Sequence, residues 1–505
     1  MISRLPRATA LALVIVALGF GLRLFRLDAQ SFWYDEAYSA SVANSTPVQI
    51  LFNHFSDVHP PGYYLILHLW QLIDASDFTL RLLSAMLGTA GIAALYALGK
   101  VLFDQKVGLA AAAITCLAPY TVYYSQEARM YSLLLLLSSM LLLSYDRMLH
   151  TGSSRWWMAY TTCAALSLYV QYVSALLLLG LHLHFLLARR REPKSWVLLA
   201  TGDALALLVV APQLAIFLAA SDRASGYQWP TPQRPGIASL FSAPYALTLS
   251  QFATERLVTF SFAVVVVLFI TTHLQVARSL ARREDQGEHL SLLLCAFWTP
   301  LLLAFALSQW RSIYRERALI VAVPALYLLF SWGVTKTKER YLNLVALLLL
   351  GAFAVGGLRN WFFDAGFSKP PFRAAAQSLL DGVSRDQPIL HSSDAALLLF
   401  MRYAPHYEHL LVAGDPNPHM PMETYRLFGG EIVERDEVTA SRLCLVVALE
   451  HSLEFQREVS EWFDQYFNLV QARSFNGIIL RQYESDGPRA TGTNAEGQQE
   501  REESQ

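Results

Sequence analysis

The chain has 505 residues, of which 54% are hydrophobic and only 16% are charged. One water-soluble core does not need so much apolar sequence, so the composition indicates a polytopic membrane protein and excludes a simple soluble domain. The formal net charge of -1 also excludes the strongly basic field that is typical of nucleic-acid-binding proteins.

Eleven apolar stretches can cross a bilayer, which takes about 17 to 25 residues each. The first, at 8–25, follows Arg4 and Arg7. No small-residue cleavage site follows it, so we expect an uncleaved helix that starts in the cytoplasm. The other ten lie at 79–98, 107–124, 130–146, 156–172, 173–187, 196–218, 257–277, 290–308, 316–333 and 341–358.

A twelfth candidate, "PPGYYLILHLWQLI" at 60–73, is apolar over only about 14 residues, which is short for a span. If it lies on the surface instead, every basic cluster between spans falls on the cytoplasmic side, as the positive-inside rule requires. We therefore predict a surface helix within one external loop at 26–78. The clusters are Lys100 and Lys106; Arg147 and Arg155; Arg189, Arg190, Arg191 and Lys194; Arg278, Arg282 and Arg283; and Lys336, Lys338 and Arg340.

The sequence changes character after the last span, and an odd number of spans puts this part outside. A helical pattern, "PFRAAAQSLLDGV", is followed by short β-type runs: "QPILHS", "RLCLVVAL", "FNLVQARSF" and "NGIILRQYE". We predict a transmembrane domain at 1–358, a small external α/β domain at 359–486, and a disordered tail at 487–505, which lacks apolar residues.

This topology places four polar clusters on the external face: Asp35 with Glu36, Asp57 with His59, Glu127 with Arg129, and the loop "SQWRSIYRER" with Arg311, Arg315, Glu316 and Arg317. The arginines of the last cluster oppose the charge bias of the other loops. Because guanidinium groups bind phosphate oxygens bidentately, the cluster indicates a site for an anionic head group, plausibly the phosphate of a lipid carrier. The alternative is that Glu316 and lipid head groups simply neutralise it.

The other clusters also have structural explanations. Asp35 and Glu36 could lie in a solvated turn, and the aromatic residues around them are typical both of sugar-stacking surfaces and of interfacial anchors. His59 could serve only with the two following prolines as a rigid helix start. A metal held by Asp57 and His59 lacks a known ligand spacing. Glu127 and Arg129 could pair with each other or with neighbours at a helix end.

In their order along the chain, "WYDEAYS", "DVHPPGYYLILHLW", "FTLRLLSAMLG", "YYSQEARMYSLLLLL" and "YRERALIVAVPALYLL" resemble the signature blocks of GT-C glycosyltransferases. The resemblance covers roughly residues 8–335 and is to the family 39-like branch, which contains the protein O-mannosyltransferases and the bacterial aminoarabinose transferases. It implies an α-helical GT-C bundle of about 11 transmembrane helices in the bacterial inner membrane. Such an enzyme transfers a sugar from a polyprenyl-phosphate donor to an acceptor outside the cytoplasm.

The resemblance also implies roles for residues. The acidic catalytic residue of the family's first external loop maps onto Asp35, beside Glu36. One carboxylate suffices as general base, with inversion at the anomeric carbon, because the phosphate leaves as a stabilised anion and needs no acid. The remaining assignments are Arg129, Arg311, Arg315, Arg317 and His59 to the donor phosphate, and Tyr34, Asp57, Glu127 and Tyr314 to substrate binding.

No cofactor is required by this chemistry and no metal ligand is assigned. Glu127 lies in the region that would assist a divalent cation, but "QEARMY" replaces the DxD or DNE acid cluster of metal-dependent members.

Three other functions are compatible with an apolar chain of this kind. A lipid-linked sugar or solute transporter or flippase is expected to show inverted repeats and charges near the bilayer midplane, which the sequence lacks. A binding protein that uses the bundle as an anchor would not need eleven spans. An oligosaccharide transferase or polymerase of the same fold is the closest enzymatic alternative. The resemblance names neither the sugar nor the acceptor.

Overall fold

The computed structural model describes residues 6–52, 59–223, 234–252, 255–311, 313–336, 340–416, 418, 422–449 and 452–485. They form two compact units. The first contains the described residues of 1–29, 42–224 and 231–368, and the second contains residues 30–41 and those from Lys369 onward. The sequence predicts a division after residue 358 and a single external loop at 26–78, and both stay predictions.

The described elements in the N-terminal part of the chain are all helical. Short 3-10 turns lie at Ser250–Phe252, Ala318–Ala322 and Ala365–Phe367. The α-helices are α1 Arg7–Leu24, α2 Tyr34–Ala43, α3 Pro47–Phe52, α4 Gly62–Gln71, α5 Asp77–Leu102, α6 Gln105–Leu117, α7 Pro119–Tyr124, α8 Tyr131–Thr151, α9 Ser154–Val170, α10 Ser174–Ala188, α11 Pro193–Arg223, α12 Ala238–Ala246, α13 Glu255–Ala281, α14 Gly287–Leu307, α15 Val323–Lys336 and α16 Arg340–Phe363.

The predicted class, a polytopic helical bundle, is confirmed, since all eleven apolar stretches are helical. Among the described residues, 8 helical segments are long and apolar enough to cross a membrane, and α6 and α10 are shorter apolar helices. The number of crossings, eleven, stays a prediction. One predicted span, 107–124, is not a single helix but is divided into α6 and α7.

Pro119 causes this division. A proline has no N–H, so it cannot bond the carbonyl of Thr115 one turn earlier. Arg23 of α1 donates to that carbonyl instead through Nη2 (3.0 Å), and the hydroxyl of Thr121 donates to it as well (2.7 Å). Arg23 is fully buried and also donates from Nε to the hydroxyl of Ser125 (3.1 Å). The break in the helix is therefore stabilised by a charged side chain from α1.

The loop that follows α7 is fixed by the same region. The side-chain amide of Gln126 donates to the carbonyls of Arg23 (3.0 Å) and Phe25 (2.9 Å), and Trp361 of α16 donates to its amide oxygen (2.6 Å). Gly88 of α5 allows this close approach, because a Cβ there would lie 2.1 Å from the hydroxyl oxygen of Ser125. These contacts hold the residues after Tyr124 against α1, α5 and α16.

The short helix predicted at 60–73 is α4, which begins directly after Pro60 and Pro61. Its 10 residues span about 15 Å, half of the hydrocarbon thickness of a bilayer. A Cβ at Gly62 would lie 2.5 Å from the carbonyl oxygen of Tyr169, so glycine permits tight packing of α4 against the end of α9. A helix this short does not cross a membrane, and its position on the outer surface stays a prediction.

The C-terminal part of the chain forms a mixed sheet of six strands in the order β3-β2-β1-β4-β6-β5. The four strands from β3 to β4 are parallel to one another, and β6 and β5 complete the sheet in antiparallel pairing. The elements are α17 Phe372–Gly382, β1 Ile389–His391, α18 Asp394–Tyr403, β2 His409–Val412, α19 Met422–Leu427, β3 Glu431–Val433, β4 Arg442–Ala448, α20 Leu453–Tyr466, β5 Asn468–Phe475 and β6 Ile478–Glu484.

The helix and the four strands that the sequence predicts here are α17, β1, β4, β5 and β6. β4 is the centre of the sheet and is buried from Leu443 to Ala448, as expected for a strand covered on both faces. Helix α20 places Phe455, Val459 and Phe463 on one side at a spacing of four residues, and they pack in the same core as the strand residues.

Two buried histidines join β1 to β2. His409 donates from Nε2 to the carbonyl of Ala404 (2.8 Å), so its Nδ1 is free to accept from Nε2 of His391 (3.0 Å). Burial, together with the neighbouring His409, lowers the pKa of His391 well below its usual value, and burial also lowers the pKa of His409. Both rings are therefore neutral in the folded domain.

The Arg23 network predicts a stability defect. Replacing Arg23 with Met removes one of the two donors of the Thr115 carbonyl and leaves buried polar groups unsatisfied, so we expect the free energy of unfolding to fall by about 2–3 kcal/mol. Thermal unfolding of the detergent-solubilised protein measures this as a lower Tm. Arg7→Met is the matched control, because Arg7 is exposed on the same helix. Equal Tm values for the two variants would contradict the role of Arg23.

The histidine pair predicts that the C-terminal unit loses stability in acid. The pKa values of His391 and His409 are lowered in the folded domain. As the pH falls, the unfolded chain therefore binds protons at these histidines before the folded domain does. The stability is complete above about pH 6.5 and falls below it by up to about 1.4 kcal/mol per pH unit for each histidine. Hydrogen exchange of peptides covering 389–412 at pH 7.5 and 5.5, corrected for the intrinsic rate, measures the effect. Peptides of α16, which has no histidine, are the control, and a matching loss of protection there would argue against a local cause.

Candidate functional site

Residues 30–41, here called the acidic segment, are held by the C-terminal part of their own unit. The backbone N–H of Phe32 donates to the hydroxyl of Tyr403 at the end of α18 (2.8 Å). The guanidinium of Arg402 lies over the ring of Phe32, 4.5 Å from its centroid. The N–H of Arg373 donates to the hydroxyl of Ser31 (2.9 Å). These contacts fix the approach to α2, the helix that carries both predicted carboxylates in its first turn.

Glu36 makes a buried ion pair. Its side chain has an exposed fraction of 0%, and Oε2 lies 2.9 Å from Nζ of Lys369, which is itself 9% exposed. The same ammonium lies 5.6 Å from the centroid of the Trp33 ring, and the backbone N–H of Lys369 donates to Oε1 of Gln30 (2.9 Å). Lys369 therefore contacts the acidic segment through both its backbone and its side chain.

Asp35 has a different environment from its neighbour. It is half-buried, while Glu36 is fully buried. Its backbone carbonyl accepts a bond from the hydroxyl of Ser39 (2.8 Å), one turn further along α2. Tyr34 is also half-buried and lies 6.2 Å from the ring of Tyr38. Asp35 lies in the first turn of α2, where the helix dipole favours a negative charge.

The first unit contains a cavity of about 380 Å³ on the loop predicted to bind phosphate. Three of the predicted residues, Tyr314, Arg315 and Arg317, line it together. The others are Tyr124, Pro235, Ser239, Ser242, Ala243, Ala246, Leu247, Glu316 and Leu319. The cavity thus combines two guanidinium groups with tyrosine rings and with serine and alanine residues of α12.

The loop that carries these arginines is anchored at both ends. Ser308 accepts from the backbone N–H groups of Ile313 (2.9 Å) and Tyr314 (2.6 Å). The hydroxyl of Tyr314 donates to the carbonyl of Ser239 (2.7 Å), and burial raises the pKa of Tyr314, so this hydroxyl stays protonated. The hydroxyl of Tyr120 donates to the carbonyl of Glu316 (2.8 Å).

Tyr124 connects the cavity with the loop after α7. Its ring lies 4.7 Å from the ring of Tyr131 and within electrostatic range of Glu127 and Arg317. Glu127 and Arg129 are both buried, and the N–H of Arg129 donates to the carbonyl of Glu127 (2.7 Å). The structure therefore brings the Glu127 loop close to the cavity, although neither Glu127 nor Arg129 lines it.

The remaining predicted residues lie elsewhere. Arg311 is exposed and is not among the lining residues of the cavity. His59 is half-buried just before Pro60 and does not line the cavity either. Asp57 lies outside the described residues.

A group of metal-ligand residue types lies at the other end of α8, about 22 Å from Tyr131 at 1.5 Å per residue. Oδ1 of Asp146 is 3.3 Å from Nδ1 of His150 and 3.2 Å from Nε2 of His289. Arg189 donates to Nε2 of His150 (2.9 Å), so the proton of this ring is on Nδ1, directed at Asp146. These contacts form a hydrogen-bonded group in which His150 has no lone pair left for a metal.

Lys369 and Arg23 have important contacts in the structure but were not predicted from the sequence. Lys369 follows the last apolar stretch in "SKPPFR" and looks like an ordinary linker cation. Arg23 lies near the end of the first predicted span, and no local pattern in the sequence indicates that it is buried. Tyr124 lies in a run that was predicted, "YYSQEARMY", but its place in the cavity follows only from the break at Pro119.

The sequence and the fold both match known proteins. Residues 58–216 match the family model of dolichyl-phosphate-mannose-protein mannosyltransferases. No curated protein sequence matches the chain.

The fold is similar to that of ArnT from Cupriavidus metallidurans in the apo state, with a TM-score of 0.62 and 12% sequence identity over 94% of this chain and 98% of that chain. ArnT bound to undecaprenyl phosphate gives a TM-score of 0.62 and 12% identity, covering 93% and 97% of the two chains. The archaeal oligosaccharyltransferase AglB from Archaeoglobus fulgidus, in complex with an inhibitory peptide and a dolichol-phosphate, gives a TM-score of 0.53 and 12% sequence identity. The match covers 97% of this chain and 75% of that chain. The chain therefore has the fold of ArnT and AglB, and residues 58–216 match the mannosyltransferase family model.

Proposed function

We propose that this protein transfers a sugar from a polyprenyl-phosphate donor to an acceptor on the extracytoplasmic side of the membrane. The observation that carries the proposal is the cavity lined by Arg315 and Arg317 in a fold that ArnT shares, since ArnT binds undecaprenyl phosphate. The side of the membrane follows from the basic clusters between the spans, which the positive-inside rule assigns to the cytoplasm.

The arginines of the cavity bind the phosphate of the donor in this proposal. A guanidinium is always charged and presents donors in a planar fork that matches phosphate oxygens, so two of them stabilise the phosphate that leaves. Tyr314 holds the loop and its ring faces the cavity, where it is suited to contact the sugar. Arg129, buried next to this region, adds positive charge behind the phosphate.

Asp35 acts as the general base. Its carboxylate takes the proton from the hydroxyl or amine of the acceptor as that atom attacks the anomeric carbon. The bond between the anomeric carbon and the phosphate oxygen breaks, and the electron pair leaves with the polyprenyl phosphate. The configuration at the anomeric carbon inverts in this single displacement. No general acid is needed, because the leaving phosphate is already a stable anion.

The first test of this mechanism is Asp35→Asn. The amide keeps the shape of the side chain but cannot take a proton, so we expect turnover to fall by about 10²- to 10⁴-fold. The assay incubates purified protein and acceptor membranes with radiolabelled polyprenyl-phosphate hexoses and pentoses, and measures loss of label from the lipid fraction. Unreduced turnover in Asp35→Asn would remove Asp35 from the mechanism.

An additional arm of this assay offers an oligosaccharide linked to polyprenyl diphosphate. Consumption of that donor, with none of the monosaccharide donors used, would favour an oligosaccharide transferase over the proposed activity. Transfer of intact labelled lipid between leaflets of a vesicle, with no sugar released, would instead indicate a flippase.

The arginines are tested by donor binding. Arg315→Ala and Arg317→Ala each remove a charge-assisted contact, so the Kd for polyprenyl phosphate in detergent micelles is expected to rise about 10- to 100-fold. Arg311→Ala should have a smaller effect, because Arg311 does not line the cavity. Arg359→Ala, at an exposed position near the end of α16, controls for general loss of positive charge. Equal affinities in all four variants would rule out the phosphate role of this loop.

A further inference from the structure

The ion pair between Glu36 and Lys369 is unusual for its burial. Glu36 has an exposed fraction of 0% and Lys369 of 9%, and their charged atoms are 2.9 Å apart. A carboxylate withdrawn from water is tolerated only when a cation or several donors compensate its charge. Glu36 is therefore bound to the cation of Lys369 rather than available as a second base.

Other contacts attach the backbone around the acid pair to the same part of the unit. Gln30 accepts from the N–H of Lys369, Ser31 from the N–H of Arg373, and Phe32 donates to Tyr403, all at 2.8–2.9 Å. Between Phe32 and the ion pair at Glu36 lie only three residues. Asp35 is one of them, so its backbone is fixed on both sides by residues from 369–403.

We propose that Lys369 is a positioning residue for the transfer reaction, which keeps Glu36 neutralised and α2 in place so that the adjacent Asp35 serves as the base. This inference rests on the function proposed above. It gives the C-terminal α/β unit a part in the chemistry, since that unit supplies the cation on which the geometry of the acid pair depends.

The charge of Lys369 matters as well as its contacts. Without it, Glu36 would lose the positive charge that lies 2.9 Å from its Oε2, and a less compensated negative charge next to Asp35 raises the pKa of that carboxylate. Three cations of this unit contact the acidic segment or its neighbours. Arg402 lies over Phe32 and Arg373 over Tyr403, 5.7 Å from its centroid, and Nζ of Lys369 lies 2.9 Å from Oε2 of Glu36.

The experiment compares the pH dependence of kcat/KM for four variants of the full chain. In Lys369→Met, turnover should fall at least about tenfold at pH 7, and the acidic limb of the profile should move up by about one pH unit. Lys369→Arg keeps the charge and should keep the limb in place. The double variant Lys369→Met with Glu36→Gln removes both charges, so the limb should return towards its original position. Arg457→Met is the matched control, because Arg457 forms an exposed pair with Glu461 on α20.

Size-exclusion chromatography and thermal unfolding first establish that each variant is folded. A uniform loss of activity in Lys369→Met, with the limb unmoved and no recovery in the double variant, would reduce Lys369 to a structural residue and overturn the inference. Full activity of Lys369→Met would also overturn it. If Lys369→Met does not fold, the other two Lys369 variants test the inference. An unmoved acidic limb in Lys369→Arg together with an active double variant supports the positioning role of Lys369. A folded but inactive double variant contradicts it.

The two proposals fail in different ways. Asp35→Asn tests the base directly, so full activity of that variant defeats the proposed mechanism and this inference with it. An inactive Asp35→Asn together with a normal Lys369→Met defeats only the positioning role.

Discussion

The structure of the first unit depends on how one unsatisfied carbonyl is accommodated. Pro119 leaves the carbonyl of Thr115 without its helical partner, in an apolar region where water cannot replace it. Arg23 provides the missing donor, and its burial is tolerated because its remaining donors are also used. The hydrogen bonds of Arg23 that compensate the break at Pro119 thus hold α1, α6 and α7 together. The loop with Glu127 and Arg129 begins where this network ends.

The acid pair shows how two adjacent, similar side chains acquire different properties. On α2, successive residues point about 100° apart, so Asp35 and Glu36 cannot face the same surroundings. One is buried against an ammonium and the other is partly open to solvent. In the mechanism that we propose, the more accessible carboxylate takes the proton and the carboxylate of the ion pair holds its helix.

Most of the helices, the short helix α4 and four of the strands could be predicted, because their signals are local: an apolar run, a proline pair, or a β-branched stretch of five to eight residues. Arg315 and Arg317, which line the cavity, were singled out because three arginines in a short loop contradict the charge bias of the chain, and Tyr314 through the family resemblance. Their roles stay predictions. The partners of the acid pair could not be found in this way. Lys369 and Tyr403 lie more than 300 positions from it, and nothing in their own neighbourhood records that distant contact. The burial of Arg23 was missed for a related reason, as it depends on a proline in another helix.

The hydrogen bonds of the acidic segment also set an order of events during synthesis. Gln30 and Lys369 are 339 residues apart in the chain, and Phe32 and Tyr403 are 371 apart. At about 5–20 residues per second, the partners leave the ribosome on the order of tens of seconds after the segment that needs them. During this interval the beginning of α2 has no docking surface, so a nascent or truncated chain that ends before residue 369 carries Asp35 on an unsupported helix start. The acidic segment therefore reaches its final arrangement only after Lys369 and Tyr403 have been synthesised.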